Sequence, residues 1–159
     1  MGRGLLVLWA GRHRRAGWDA ICGRYRERIE RFVPLTERAV RAGSGDGRER
    51  LAAEAAALRR VLPDPCWTVA LDRRGRARSS RQLASWLARL QERWPHPVAF
   101  LLGSDLGLDE GLRAQCRDSL SLGPLTLPHE LARLVLYEQL YRALSINAGI
   151  KYHREPPME

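Results

Sequence analysis

The stretch VAFLLG, Val98 to Gly103, is apolar at every position over the length of one β-strand. Strand side chains alternate between two faces, so a strand with no polar alternate needs cover on both sides. That requirement points to a parallel sheet lying between layers of helices, and the rest of the chain supplies the pattern for one. LLVLW (Leu5 to Trp9) and WTVAL (Trp67 to Leu71) are further short apolar runs, and the segment from Pro34 to Val40 reads as another strand. Between them, apolar residues recur at helical spacing: Trp18, Ile21, Cys22, Tyr25, Ile29 and Phe32; then Leu51, Ala55, Leu58 and Leu62; then Leu83, Trp86, Leu87, Leu90 and Trp94. A short helix is expected near Leu108 to Cys116, followed by a turn, and a long helix from Pro128 to about Ser145. Strands alternating with helices predict an α/β fold, a mainly parallel sheet with helices on both faces. Ligands of such sheets bind at the carboxyl ends of the strands, here the loops after Leu71, after Leu102 and around Ser121 to Leu127.

At 159 residues, with no internal repeat and no long linker, the chain is expected to form a single domain over residues 1–159. A hydrophobic content of 45% argues against disorder. No apolar run approaches the roughly 20 residues of a membrane span. The N-terminal LLVLWAG is too short for a signal-peptide core and runs directly into Arg12, Arg14 and Arg15, so a cytoplasmic protein without a membrane partner is expected. Cys22, Cys66 and Cys116 are odd in number and far apart, which indicates neither a disulfide framework nor a zinc site, and no metal is expected. The net charge of +9 suggests a polyanionic partner. Lys151 is the only lysine among 27 basic residues, so a bias towards arginine codons would produce part of the same excess.

Several stretches carry candidate chemistry. GSDLG (Gly103 to Gly107) leaves the strand and enters a helix, where glycine permits either close approach of a ligand or a tight turn. It matches neither a dinucleotide nor a P-loop pattern. In SLGPLTLPHEL, Ser121 to Leu131, a helix start is expected at Pro128, yet the preceding Leu127 is a poor cap. Within that helix, Glu138 and Arg142 project onto the face of Leu131, Leu134 and Val135. A charged pair on a core-facing stripe is either a structural bridge or an arginine aimed into a site or interface. His129 stands in the first turn, and the tail KYHRE combines basic and aromatic residues suited to RNA. No Ser-His-Asp triad, zincin helix or paired carboxylates stand out, so a reaction with an already activated donor suits this chain.

Taken together, FLLGSDLG, SLSLGPLTLPHELARLVLYEQLYRALSI and YHRE resemble the ribosomal large-subunit pseudouridine N3-methyltransferase family of the SPOUT superfamily. The likeness runs from about Val98 to Glu155 and weakens towards the N-terminus. It implies a small α/β domain with a C-terminal trefoil knot. It also implies a homodimer that uses S-adenosylmethionine to methylate N3 of a pseudouridine in 23S rRNA on the assembled ribosome. By position, Leu71, Gly103 and the loop Leu122, Gly123, Pro124, Leu125, Thr126 and Leu127 would hold the cofactor. His129, Arg142, Tyr152, His153 and Arg154 match family positions near the target nucleotide, with the tail completing a composite site across the dimer.

The sequence departs from the family pattern at Ser104, in place of a second glycine, and at Leu106, in place of a polar residue. Pro124, inside the cofactor loop, has no N–H to donate. Two other readings stay open at this point. One is a SPOUT-like protein that binds RNA or the ribosome without methyl transfer, and the other a SPOUT methyltransferase with another RNA target.

Overall fold

The computed structural model describes residues 3–12 and 16–154. Arg14, Arg15 and Glu155, which figured in the sequence analysis, lie outside the described residues. Among the described residues five strands and five helices alternate: β1 (Leu5–Ala10), α1 (Ala16–Glu30), β2 (Leu35–Val40), α2 (Gly47–Val61), β3 (Trp67–Leu71), α3 (Ser80–Arg93), β4 (Val98–Leu102), α4 (Glu110–Gln115), β5 (Asp118–Leu120) and α5 (His129–Asn147). The strands form one sheet in the order β2-β1-β4-β3-β5, and every pairing is parallel.

The pleat sorts the apolar runs into two cores. Leu5, Val7 and Trp9 of β1, Val98, Phe100 and Leu102 of β4, and Val69 of β3 face α1, α3 and α5. The alternate residues Leu6, Leu8, Ala99 and Leu101 pack against Ala55 and Leu58 of α2 and Leu112 of α4. This is why VAFLL contains no polar residue: all five of its side chains are buried. Connections that step towards the β2 edge use α1 and α3, and those that step towards β5 use α2 and α4. A single crossover handedness requires that division.

Three predicted features differ in the structure. Ile21 is exposed, whereas Cys22 and Ile29 carry the inner face of α1. The turn expected after α4 contains a strand, β5, too short and too polar to show an apolar pattern. Its place is fixed by tertiary contacts: Arg78 donates to the Ser119 carbonyl at 2.7 Å and to Asp118 at 3.0 Å, and the Trp86 indole N–H donates to Asp118 at 2.8 Å. Finally, the core-facing stripe of α5 is Arg133, Leu136, Tyr137, Leu140, Ala143 and Leu144. Glu138 and Arg142 stand beside that stripe with Leu131, Leu134 and Val135, all half-buried. The projection chose the wrong face because α5 is apolar around most of its circumference, so an apolar stripe alone does not identify the inner side.

Asp118 gives a pH prediction. Burial disfavours its ionised form, but hydrogen bonds from Arg78, the Ser119 N–H and Trp86 outweigh this and hold its carboxyl below its ordinary value of 3.8. A carboxylate with a depressed folded pKa contributes stability above the unfolded value and loses it as pH falls through the folded one. Thermal melts of the native chain are therefore expected to fall more steeply below about pH 4 than those of Asp118→Asn, in which that titration is removed. Parallel acid profiles would refute this role.

Candidate active site

Loops from the carboxyl ends of β3, β4 and β5 meet at one edge of the molecule. After Leu71, the Asp72 N–H donates to the Leu120 carbonyl at 3.0 Å, tying the end of β3 to β5. Asp72 then accepts from the Arg74 backbone N–H, and the Arg74 side chain bridges Asp72 and Glu110. The two arginines beside Asp72, Arg74 foremost, keep its carboxyl below the usual range.

The loop after β4 folds back on itself. The Gly107 N–H donates to the Ser104 carbonyl at 2.9 Å, and Gly107 adopts φ +84°. A Cβ on Gly103 would lie 2.7 Å from the Gly107 Cα and carbonyl oxygen, so the close approach here is of backbone to backbone. Ser104 ties this loop to α2, its hydroxyl donating to Glu54 at 2.9 Å. Glu54 is 3% exposed and also accepts from the Gly43 N–H and from Arg50. Arg50 pairs with Asp105 as well, so α2 grips the loop at two points. Leu106 is exposed.

The loop after β5 opens with Ser121, whose N–H donates to the Arg76 carbonyl at 3.0 Å. Its hydroxyl donates to the Arg73 carbonyl and accepts from the Gly123 N–H at 3.1 Å. Gly123 has φ +115°, a conformation that favours glycine. Leu122, Gly123 and Leu127 are half-buried, while Pro124, Leu125 and Thr126 are exposed, Leu125 to 75%. Among the described residues the N–H groups of Leu125, Thr126 and Leu127 donate to nothing. Pro124 therefore stands beside free donors rather than replacing the loop's only one.

The start of α5 is distinctive. Asp46, Ser79 and Asp109 cap α2, α3 and α4 with side-chain oxygens, whereas Pro128 begins α5 with no side-chain cap. Its first N–H groups remain available to another partner. His129, half-buried in the first turn, has Nε2 at 3.4 Å from Glu130. It also lies close enough to the glycine loop to act on Asp105, whose carboxyl is lowered first by Arg50 and, among smaller causes, by His129.

A second cluster occupies the other end of α5. Arg142 donates through Nε and its terminal nitrogen to Glu138, at 3.0 and 2.5 Å. Its other terminal nitrogen lies 3.2 Å from His153 Nδ1. A guanidinium only donates, so Nδ1 accepts and a neutral His153 carries its proton on Nε2. Tyr152 lies under the Arg142 guanidinium at 4.8 Å, packs edge-on against Tyr141 at 4.6 Å and donates to Glu138 at 3.3 Å. Burial first, then its bond with Tyr25 and the Glu138 charge, push the Tyr152 phenol up to about 12. Arg154 is exposed.

The candidate residues thus form two groups. Leu71, Gly103, Leu122 to Leu127 and His129 gather at the strand ends, while Tyr152 and His153 fold back against Arg142 in the C-terminal half of α5. At 1.5 Å per residue, His129 and Arg142 stand about 20 Å apart along the helix. Sequence reasoning did not find Glu54, which anchors Ser104, or Asp118 beneath Arg78. Each is a single carboxylate whose decisive partner comes from a distant segment, Ser104 for Glu54 and Arg78 for Asp118. The spacing of Glu138 and Arg142 did show that pair.

The described residues contain no group of three or more His, Cys, Asp or Glu side chains able to hold a metal ion, and no helix long and apolar enough to cross a membrane. The family model described as "Predicted SPOUT methyltransferase" matches residues 4–153. A relative from Solidesulfovibrio magneticus, named ribosomal RNA large subunit methyltransferase H, is 41% identical over 94% of this chain and 97% of its own. A protein of the same name from Gluconacetobacter diazotrophicus is 46% identical over 82% of this chain and 84% of its own. Among solved structures, a methylase family protein of Haemophilus influenzae Rd KW20 superposes with a TM-score of 0.55 at 16% identity, over 98% of this chain and 72% of that one. A methyltransferase of Bordetella pertussis Tohama I gives 0.53 at 17% identity, over 89% of this chain and 96% of that one. These two share the fold. The family match and the relatives go further: the chain belongs to the ribosomal RNA large subunit methyltransferase H family of SPOUT methyltransferases.

Proposed function

We propose that this protein transfers the methyl group of S-adenosylmethionine to N3 of a pseudouridine in 23S rRNA, acting as a homodimer on the assembled ribosome in the cytoplasm. The observation that carries the reading is the meeting of three strand-end loops beside an uncapped helix start. Together they offer free backbone donors and apolar surface in one place. The residues fit the cofactor. Leu71, Leu122 and Leu127 supply half-buried apolar side chains for an adenosyl group, and the N–H groups of Leu125 to Leu127 are unclaimed. The Gly103 turn keeps side chains out of the space where β4 ends.

When bound, the cofactor supplies a methyl group on a sulfonium that is its own leaving group, so the protein mainly aligns the reactants. The imide nitrogen must also lose a proton. Tyr152 keeps its own proton at neutral pH, and the Nδ1 lone pair of His153 is engaged by Arg142. His129, on the cofactor side, is the remaining candidate to accept the proton. Arg142 would stabilise the negative charge that develops on the base. Because these two residues lie at opposite ends of α5, the reading requires Arg142, Tyr152, His153 and Arg154 from the second protomer.

The C-terminal trefoil knot belongs to the same proposal. Its support is that residues 118–121 run against the loop from Asp72 to Arg78, after which α5 packs on α1 and α3.

Ribosomes from a strain lacking the gene should carry the unmethylated pseudouridine and gain one methyl group on it when incubated with the protein and S-adenosylmethionine. Mass spectrometry of the digested 23S rRNA reads the result, and an unchanged nucleotide would refute the target. Calorimetric titration isolates the first step: no heat of binding at millimolar S-adenosylmethionine would leave an RNA-binding protein without methyl transfer.

A further inference from the structure

Beyond the cofactor loops, the loop from Arg76 to Arg78 and the outer face of α3 enclose an open groove of about 440 Å³. That is the size range of sites for small organic groups, but the lining is unlike an apolar pocket. Four arginines border it, Arg76, Arg78, Arg81 and Arg89, with Trp86 and the small or polar residues Ala77, Gln82 and Ser85. Arg81, Ser85 and Arg89 follow at successive i, i+4 positions and so share one helix face.

The groove has a fixed floor and a charged rim. In the floor, the Arg78 side chain is 5% exposed, its guanidinium is held by Asp118 and the Ser119 carbonyl, and it stacks over the Trp86 ring at 4.9 Å. Trp86 is locked in turn by its bond to Asp118 and its edge contact with Phe100 at 6.3 Å. On the rim, Arg76, Arg81 and Arg89 are exposed. Among the described residues Arg76 and Arg89 have no side-chain hydrogen bond or ion pair. Asp118 is the carboxylate beneath the groove, and Arg78 already balances it. Among the described residues the charges of Arg76 and Arg89 are therefore uncompensated. Position adds a second argument: Ala77 bridges to Ser121, the residue that opens the cofactor loop, so the groove lies immediately outside the methyl-transfer site.

We propose that this groove binds the sugar-phosphate backbone of the RNA substrate next to the target nucleotide. The inference rests on the rRNA reading above and assigns it a contact surface. One face of the indole is already covered by Arg78, so the floor does not offer a free aromatic platform for a base. The exposed guanidiniums instead meet phosphates, which positions the RNA without reading its sequence.

The test is the double variant Arg76→Ser/Arg89→Ser in the full chain, with unmethylated 70S ribosomes as the probe. Both residues are exposed and unpaired, so its melting temperature should match the native one. In co-sedimentation over a salt series, the plot of log affinity against log salt should lose about 0.9 of slope per arginine removed, nearly two in all. Ribosome affinity should fall about tenfold or more at low salt, and the KM for ribosomes should rise with it, as expected for lost phosphate contacts. The kcat and the calorimetric affinity for S-adenosylmethionine should stay at native values, and Arg76→Lys/Arg89→Lys should recover most of the binding. An unchanged slope and affinity would overturn the proposal. So would displacement of ribosomes by millimolar AMP, which would make the groove a mononucleotide site. Failure of the methyltransferase reading shows separately, as native protein that binds ribosomes but neither binds the cofactor nor transfers methyl.

Discussion

Gly103→Ala is expected to abolish measurable S-adenosylmethionine binding, with affinity falling roughly 100-fold or more, the equivalent of about 2.7 kcal/mol. The added methyl would sit 2.7 Å from the Gly107 Cα and carbonyl oxygen, and those atoms are backbone that no rotamer change can move aside. The turn must open, breaking the bond from the Gly107 N–H to the Ser104 carbonyl and shifting Ser104 from Glu54. The obstruction is internal to the turn. Here even the smallest side chain is excluded by the loop itself. Fold stability should fall by only about 1–3 kcal/mol, the ordinary cost of overpacking, so a folded but cofactor-blind protein is the expected product. Gly23→Ala is the control, because nothing lies within 4 Å of a Cβ there. It replaces a helical glycine and should be neutral or stabilising by up to about 1 kcal/mol with normal titration heats. Native-like binding by Gly103→Ala would remove this loop from the cofactor site.

The second large effect is complementation between inactive variants. His129→Ala and Arg142→Ala are each expected to reduce transfer by at least about 100-fold, the range for loss of a proton acceptor or of a charge-stabilising donor. A composite site takes His129 from one protomer and Arg142 from its partner. A mixed dimer of the two variants then contains one site with both residues intact and one with neither. Random exchange of subunits makes half the dimers mixed, so an equimolar mixture should recover about a quarter of native activity in a two-fold symmetric enzyme. A site built within one chain would recover nothing. The outcome decides between the arrangements because the roughly 20 Å between the residues along α5 prevents one pair from substituting for the other.

Much of the fold was legible in the residues because the strands that matter most are buried on both faces. The runs at Leu5, Trp67 and Val98 contain almost nothing polar, and no other structure covers such strands as readily as helices on either side of a parallel sheet. Glycine and proline punctuation placed most helices correctly, and the missing side-chain cap of the last helix was visible, expected at Leu127 and found one residue later at Pro128. β5 was not legible, because Asp118 and Ser119 are strand residues only through Arg78, Trp86 and the end of β3. The inner face of α5 was hidden for the opposite reason. Leu131, Leu134 and Val135 are as apolar as Leu136 and Leu140, and periodicity gives no sign of which set meets the sheet.

The alternation of strands and helices, the strand-end loops where a ligand belongs and the motifs that carry the family likeness are all written in the order of the residues. Local chemistry is enough for these, since backbone pairing, capping and burial act over a few residues at a time. Folding alone anchors Ser104 on a buried carboxylate 50 residues away and makes Arg78 and Trp86 the floor of an arginine-rimmed groove. It also places His129 and Arg142 at opposite ends of one helix. Such relations depend on which distant segments the sheet order brings together, and spacing along a chain contains no record of that distance.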